Sequence, residues 1–365
     1  MITACALLAS QDCRNDAATV TAAETLYVNA IAGVREAVLN TQRAKEDGTL
    51  VASMLLASFE RYNGSSEKTT SAWEVHAEGV SWLVENRGIN QTRTSLGRAV
   101  FRKAREIIID AAFCRDVAAP SFVITYSQAI GRDSKSGMDD QLAILEARAS
   151  ALWSRYSTGE LVTSLHEQAW ALRQDLELWE RDMASTDPAC RASQGVLSKV
   201  RANMCRIIAL RLAAALCERQ AQQREALVEH SSQEKVDSSR IVVTELCRSV
   251  SNVLQGFAAT EIEETPTMSA LGLARPLYIV TKILVDESKQ GISDGFLLDL
   301  LASQTRCALR MLHHLSLKAG DQCSVRMLQA IKLQYGNGEL RQDQDSELGR
   351  EIDTWCLVGS GRRGQ

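Results

Sequence analysis

Only four prolines punctuate 365 residues, where average usage of about 5% would place about 18. Proline removes a backbone donor and clashes with the preceding turn, so a chain that avoids it leaves its helices uninterrupted. Aromatic residues are 5% of the chain, and alanine and leucine dominate the apolar set, which favours helix over sheet. Hydrophobic residues at 45% and charged residues at 24% are ordinary globular usage. These features together predict an all-α protein, a single irregular domain over 1–365 of about twelve mostly antiparallel packed helices.

Apolar periodicity marks the helices. The first runs from Ala17 to Leu39, with Val20, Ala23, Tyr27, Ala30, Ile31, Val34 and Val38 on one face. Asp47-Gly48-Thr49 opens a second, whose stripe is Val51, Met54, Leu55, Phe59 and Tyr62 and which ends at Asn63-Gly64-Ser65-Ser66. Ser71 and Glu74 read as a capping box for a third, and Gly88 stands where a left-handed C-cap is expected. A fourth spans Leu96 to Arg115 with Val100, Ala104, Ile107, Ile108 and Ala111 inward. From Asp116 to Asp139 periodicity fades into a connection holding a short extended or helical piece around Phe122-Val123-Ile124. Helices resume at Asp140–Tyr156 and Glu160–Arg181, the latter striped by Leu161, Leu165, Ala169, Leu172, Leu176 and Trp179. Others are expected at Ser193–Leu227, Asp237–Leu254, Leu277–Glu287, Gly295–Leu317, Asp321–Leu333 and Ser346–Cys356. Residues 220–236 read as a polar surface segment and 358–365 as a flexible tail.

Charge and cysteine usage narrow the function classes. The formal net charge is −4, and the one basic cluster, Arg362-Arg363, lies in the tail. A protein that grips phosphates needs a positive patch, so direct nucleic-acid binding is not expected. None of the ten cysteines forms a CxxC pair, which removes the local signature of a structural zinc site and suits reduced core thiols. The N-terminus lacks the basic region of a signal peptide, and no stretch reaches the length of a membrane span. The expected location is the nucleus or the cytoplasm, with no membrane contact.

Catalytic patterns are missing too. There is no G-x-S-x-G, no HExxH and no Gly-rich phosphate loop before a helix. His313 and His314 are adjacent and point about 100° apart on a helix, so they cannot chelate one ion. His166 and His230 stand isolated, and Glu261-Ile262-Glu263-Glu264 reads as an acidic loop. The chain is expected not to be an enzyme and to carry no cofactor, metal or catalytic residue.

Leu55-Leu56-Ala57-Ser58-Phe59-Glu60, Trp73-Glu74-Val75-His76-Ala77-Glu78-Gly79-Val80 and Leu83-Val84-Glu85-Asn86-Arg87-Gly88 follow one another in order. This succession resembles the fungal-specific transcription factor domain, the regulatory region found after the binuclear zinc cluster of fungal Zn2Cys6 regulators. Glu60, Trp73, His76, Gly79, Arg87 and Gly88 fall on that family's pattern. Phe101 with Arg105 and Ile107-Ile108 looks like its next helix, and Pro276-Leu277-Tyr278-Ile279-Val280 like a later helix start. The resemblance is strongest over residues 17–122 and patchy after Thr186. It departs from the family in holding no six-cysteine segment, so this is either a regulator-like protein without its own DNA reader or a fragment of a longer one.

The resemblance implies transcriptional regulation through protein partners, namely other regulators, coactivators or a second copy of the chain, modulated by a small-molecule effector. It places the effector or partner pocket at Trp73, His76, Gly79, Arg105 and Tyr278. Trp73 and His76 share a helix face, and the plainer reading makes them a core tryptophan and a histidine bonded to a carbonyl or carboxylate. Gly79, costly in a helix, is expected to let another helix come close. The alternative function is a helical small-molecule-binding protein or enzyme of fungal secondary metabolism on the same fold.

Overall fold

The computed structural model describes residues 17–63, 72–131, 137–160, 163–185 and 198–213, with Arg248, Asn252, Pro276, Ile279 and Ile283 as single positions. Among the described residues every regular element is helical and none is a strand. The helices expected from Asp237 onward lie outside them, apart from those single positions, each of which is helical.

In chain order α1 is Ala17–Leu39, α2 Asp47–Asn63, α3 Ala72–Arg87, α4 Ser95–Cys114 and α5 Ser121–Gly131. They are followed by α6 at Gly137–Ser157, α7 at Thr163–Ser185 and α8 at residues 198–213. Short 3-10 turns at Arg43–Lys45 and Ile89–Arg93 sit in the connections before α2 and α4. The chain divides into two compact units. The first takes the described residues up to Arg115 and from Ala119 to Ala147, the second Asp116–Ala118 and the described residues from Arg148 on.

In the first unit α1 packs on α2, α2 on α3 and α4, and α3 on α4. The α1 face is thin: Ala23 and Ala37 are buried, while Tyr27, Ala30, Ile31, Val34 and Val38 are half-buried. Asn40 closes the helix by accepting hydrogen bonds on Oδ1 from the backbone N–H groups of Gln42 and Arg43, at 3.0 and 3.1 Å. The face of α2 is rotated from the expected one. Leu50, Ser53, Leu56, Ala57 and Phe59 are buried, whereas Val51, Met54 and Leu55 are half-buried. A helix with neighbours on several sides carries apolar residues all round, and periodicity then loses its phase.

Helix α3 buries Trp73, Ala77, Val80, Leu83 and Val84 and leaves His76 half-buried. Ser71 of the expected capping box lies outside the described residues. Gly88 has φ 67° and ψ −175°, not the left-handed helical cap foreseen but the mirror-extended region that is essentially glycine's alone. The chain leaves α3 there and turns into α4, which is capped by Thr94: its Oγ1 accepts the Gly97 N–H at 3.0 Å.

The connection expected between Asp116 and Asp139 contains a full helix, α5, starting directly after Pro120. Proline suits a helix start, because its missing N–H would find no partner in the first turn. Phe122, Val123, Ser127 and Ile130 form its buried face.

In the second unit α7 buries Leu165, Ala169, Leu172, Leu176 and Trp179, as its sequence stripe predicts, and adds Met183. Arg148 Nη1 on α6 donates to Asp175 Oδ2 on α7 at 2.5 Å, and Arg206 on α8 pairs with Glu180 on α7 at 2.6 Å. Trp153 Nε1 donates to Asp116 Oδ1 at 2.6 Å. Val200, Met204, Ile207, Ile208 and Leu212 bury α8. Among the described residues no helix is long and apolar enough to cross a membrane.

Candidate functional site

His76 lies on the half-buried side of α3, next to the stripe that carries Trp73. Its Nε2 is 3.0 Å from the hydroxyl of Tyr27 on α1. The Tyr27 ring stacks on Phe59 of α2 with centroids 4.3 Å apart and planes 9° from parallel, and meets the His76 ring edge-on. Burial raises the Tyr27 pKa above its ordinary 10, helped by a hydrogen bond to the Glu60 carboxylate and by its charge. Tyr27 of α1 is thereby tied to α3 through the His76 hydrogen bond and to α2 through its stack on Phe59, with the Glu60 carboxylate acting on both polar groups. The histidine's expected partner, a carbonyl or carboxylate, is a phenol instead, and the carboxylate lies one step further on.

Burial lowers the His76 pKa below its ordinary 6.5, against the opposing charge of Glu60. A histidine with a depressed folded-state pKa binds fewer protons in the fold than in the unfolded chain. Its contribution to stability is therefore complete above pH about 6.5 and is lost as pH falls below that value. His76→Gln should flatten this branch. Urea midpoints taken between pH 7.5 and 5 should drop less in the variant than in the wild type, and equal drops would refute the assignment.

Trp73, 5% exposed, is set into the core on the same helix as His76. Gly79 does not receive a neighbouring helix. A Cβ built there meets no atom within 4 Å among the described residues, and the glycine faces outward. Gly79→Ala should therefore stabilise the chain by about 1 kcal/mol through helix propensity alone, seen as a higher urea midpoint. A lower midpoint would show that the site is crowded.

Arg105 sits elsewhere, on α4, and is buried. Its Nη1 donates to Asp140 Oδ1 at 2.6 Å and to Ser127 Oγ at 3.1 Å, and its Nη2 to the Asp139 carbonyl at 3.2 Å. Arg102 grips the same carboxylate through Nε to Oδ1 at 3.0 Å and Nη2 to Oδ2 at 2.8 Å. The hydrogen bonds that Arg102 donates to Asp140 raise its pKa. The partners of His76 thus lie on α1 and α2 and those of Arg105 on α5 and α6. Tyr278 lies outside the described residues.

Arg87, another residue of the motif, has its side chain 6% exposed and pairs with Asp47 at the start of α2. Its Nε and Nη1, like Gln91 Oε1, are buried without a protein partner among the described residues. Tyr27 and Glu60 were missed as a site from sequence. Glu60 stood in the quoted motif and Tyr27 in the α1 stripe, but nothing in the sequence joins two residues 33 positions apart. Among the described residues no three His, Cys, Asp or Glu gather to hold a metal ion.

Comparison with known proteins bears on this arrangement. A family model described as the fungal specific transcription factor domain matches residues 2–247. A protein of Emericella nidulans with the printed description "Uncharacterized protein AN5342" is 33% identical over 98 residues, which are 27% of this chain and 20% of that protein. The chain therefore spans about a fifth of the length of this relative. No solved structure matches.

Proposed function

We propose that this chain, which belongs to the fungal specific transcription factor domain family, regulates transcription from the nucleus by contacting other regulators or coactivators, in response to a small-molecule effector. The observation that carries this reading is the family match over residues 2–247, which takes in every motif residue from Glu60 to Gly88. Those residues have structural employment here. Glu60 and His76 join α1, α2 and α3, Arg87 ties α3 to α2, and Gly88 turns the chain into α4. Such residues build a scaffold, and a scaffold acts through its surfaces and through what it admits between its helices. The reading assigns no catalytic residue.

The full chain, tagged with a fluorescent protein and separately fused to a heterologous DNA-binding domain upstream of a reporter, provides the test in a fungal host. Nuclear fluorescence with a several-fold change in reporter output, of either sign, supports the reading. Fluorescence confined to the cytoplasm together with an unchanged reporter would sink it. Native mass spectrometry of the purified chain reports on the effector as a retained mass.

A further inference from the structure

The outer face of α3 carries apolar residues that the fold leaves bare. Val75 is 60% and Trp82 49% exposed, and Ile89, just past the helix end, is 44% exposed. A surface tryptophan of this exposure keeps a large apolar area in water and is the residue type most enriched at the energetic centres of interfaces. Gly79 lies between Val75 and Trp82 at helical spacing, with open space above its Cα. The patch has a sidedness in charge. Glu74, Glu78 and Glu85 all fall along one edge of the stripe, and among the described residues only Glu78 has a basic partner there, Arg115. The opposite edge carries His76, which is turned inward to Tyr27 and neutral.

We infer that this face of α3 is a docking site for an amphipathic helix of a partner protein, one whose apolar ridge is bordered along one side by lysine or arginine. The apolar ridge lies along Val75, Gly79 and Trp82, the glycine allowing the two backbones to come close. The basic border lies against Glu74 and Glu85, with Glu78 held by Arg115 between them, and these carboxylates set the register and favour encounter. A second copy of α3 fits the site poorly, because its own glutamates would meet these like charges. The inference rests on the reading that the chain works through partners and names the surface and the chemistry of one of them.

Three labelled peptides of about 18 residues, long enough to hold a helix, probe the full-length chain. One is an amphipathic leucine–lysine helix, one its leucine–glutamate counterpart, and one a leucine–lysine scramble without helical period. Fluorescence anisotropy should show binding of the first, weakening with salt, and about tenfold or greater loss of affinity in Trp82→Ser. Glu85→Lys should weaken it several-fold and flatten its salt dependence. Both positions are exposed, so the far-UV circular dichroism of the variants should match the wild type. Equal binding of the glutamate or scrambled peptide, or an affinity unchanged in Trp82→Ser, overturns the inference. A chain that drives the reporter while Trp82→Ser alters neither affinity nor output overturns this surface and leaves the regulatory reading standing. Peptide binding at Trp82 by a chain without nuclear or reporter activity does the reverse.

Discussion

Asp140→Ala is expected to destabilise the first unit by about 3–5 kcal/mol, the cost of removing one partner from a buried ion pair. The Asp140 side chain is 1% exposed and that of Arg105 4%, so neither charge has water to fall back on. One carboxylate accepts three hydrogen bonds from two guanidinium groups, at 2.6 to 3.0 Å. Alanine takes away the carboxylate that both guanidinium groups share, one on the buried Arg105 and one on Arg102, 22% exposed. The pair is not expected to be stabilising in itself, because taking charges out of water costs nearly as much as their attraction returns. Asp140→Leu combined with Arg105→Met should therefore recover a large part of the loss. Urea unfolding followed by far-UV circular dichroism measures both. A single variant within 1 kcal/mol of wild type, or a double variant no better than the single one, would show that the cluster does not bear on the core.

Gly97→Ala is expected to cost about 3 kcal/mol or more, beyond the usual price of overpacking. A Cβ at this position would stand 1.8 Å from the Gln91 carbonyl oxygen and 2.9 Å from Thr94 Oγ1. The first of these is backbone, so no side-chain rotation relieves it. The corner must open instead, and opening it breaks the Thr94 cap on α4 and displaces Gln91, whose Nε2 donates to the carbonyls of Val84 and Gly88 at 2.8 and 2.9 Å. Thr94→Ala is the control that removes the cap alone, at about 1 kcal/mol. The difference between the two midpoints isolates the clash, and midpoints that coincide would refute it.

The parts of the fold legible in the sequence were those governed by local chemistry. The stripe of α7 could be read residue by residue from Leu165 to Trp179, Leu161 lying outside the described residues, because that helix buries one face and leaves the other wet. The phase of α2 could not, since residues on several of its sides are at least half-buried. Helix α5 was legible only as a short extended or helical piece, because eleven residues behind a proline, apolar on most sides, show no period distinguishable from a buried extended segment. The site was less legible than the fold. The sequence grouped Trp73, His76 and Arg105 in one pocket, and the structure gives His76 and Arg105 separate side-chain partners, Tyr27 and Asp140. It could not say that His76 reaches back 49 positions to Tyr27, or that Arg105 reaches forward 35 to Asp140. Such pairings are decided by how helices stack, and stacking leaves no trace in spacing.

The corner between α3 and α4 has no slack. Gly88 is held in a backbone region few residues visit, Gln91 is bonded to the turn behind it, and Arg98 Nη1 is bonded to the carbonyls of Thr92 and Arg93 ahead, both at 3.1 Å. Hinges absorb motion by letting a few dihedral angles change, and here those angles are already committed. The mutual angle of α3 and α4 is therefore set at this corner, and a substitution that frees Gln91 or Thr94 should loosen it before it disturbs either helix.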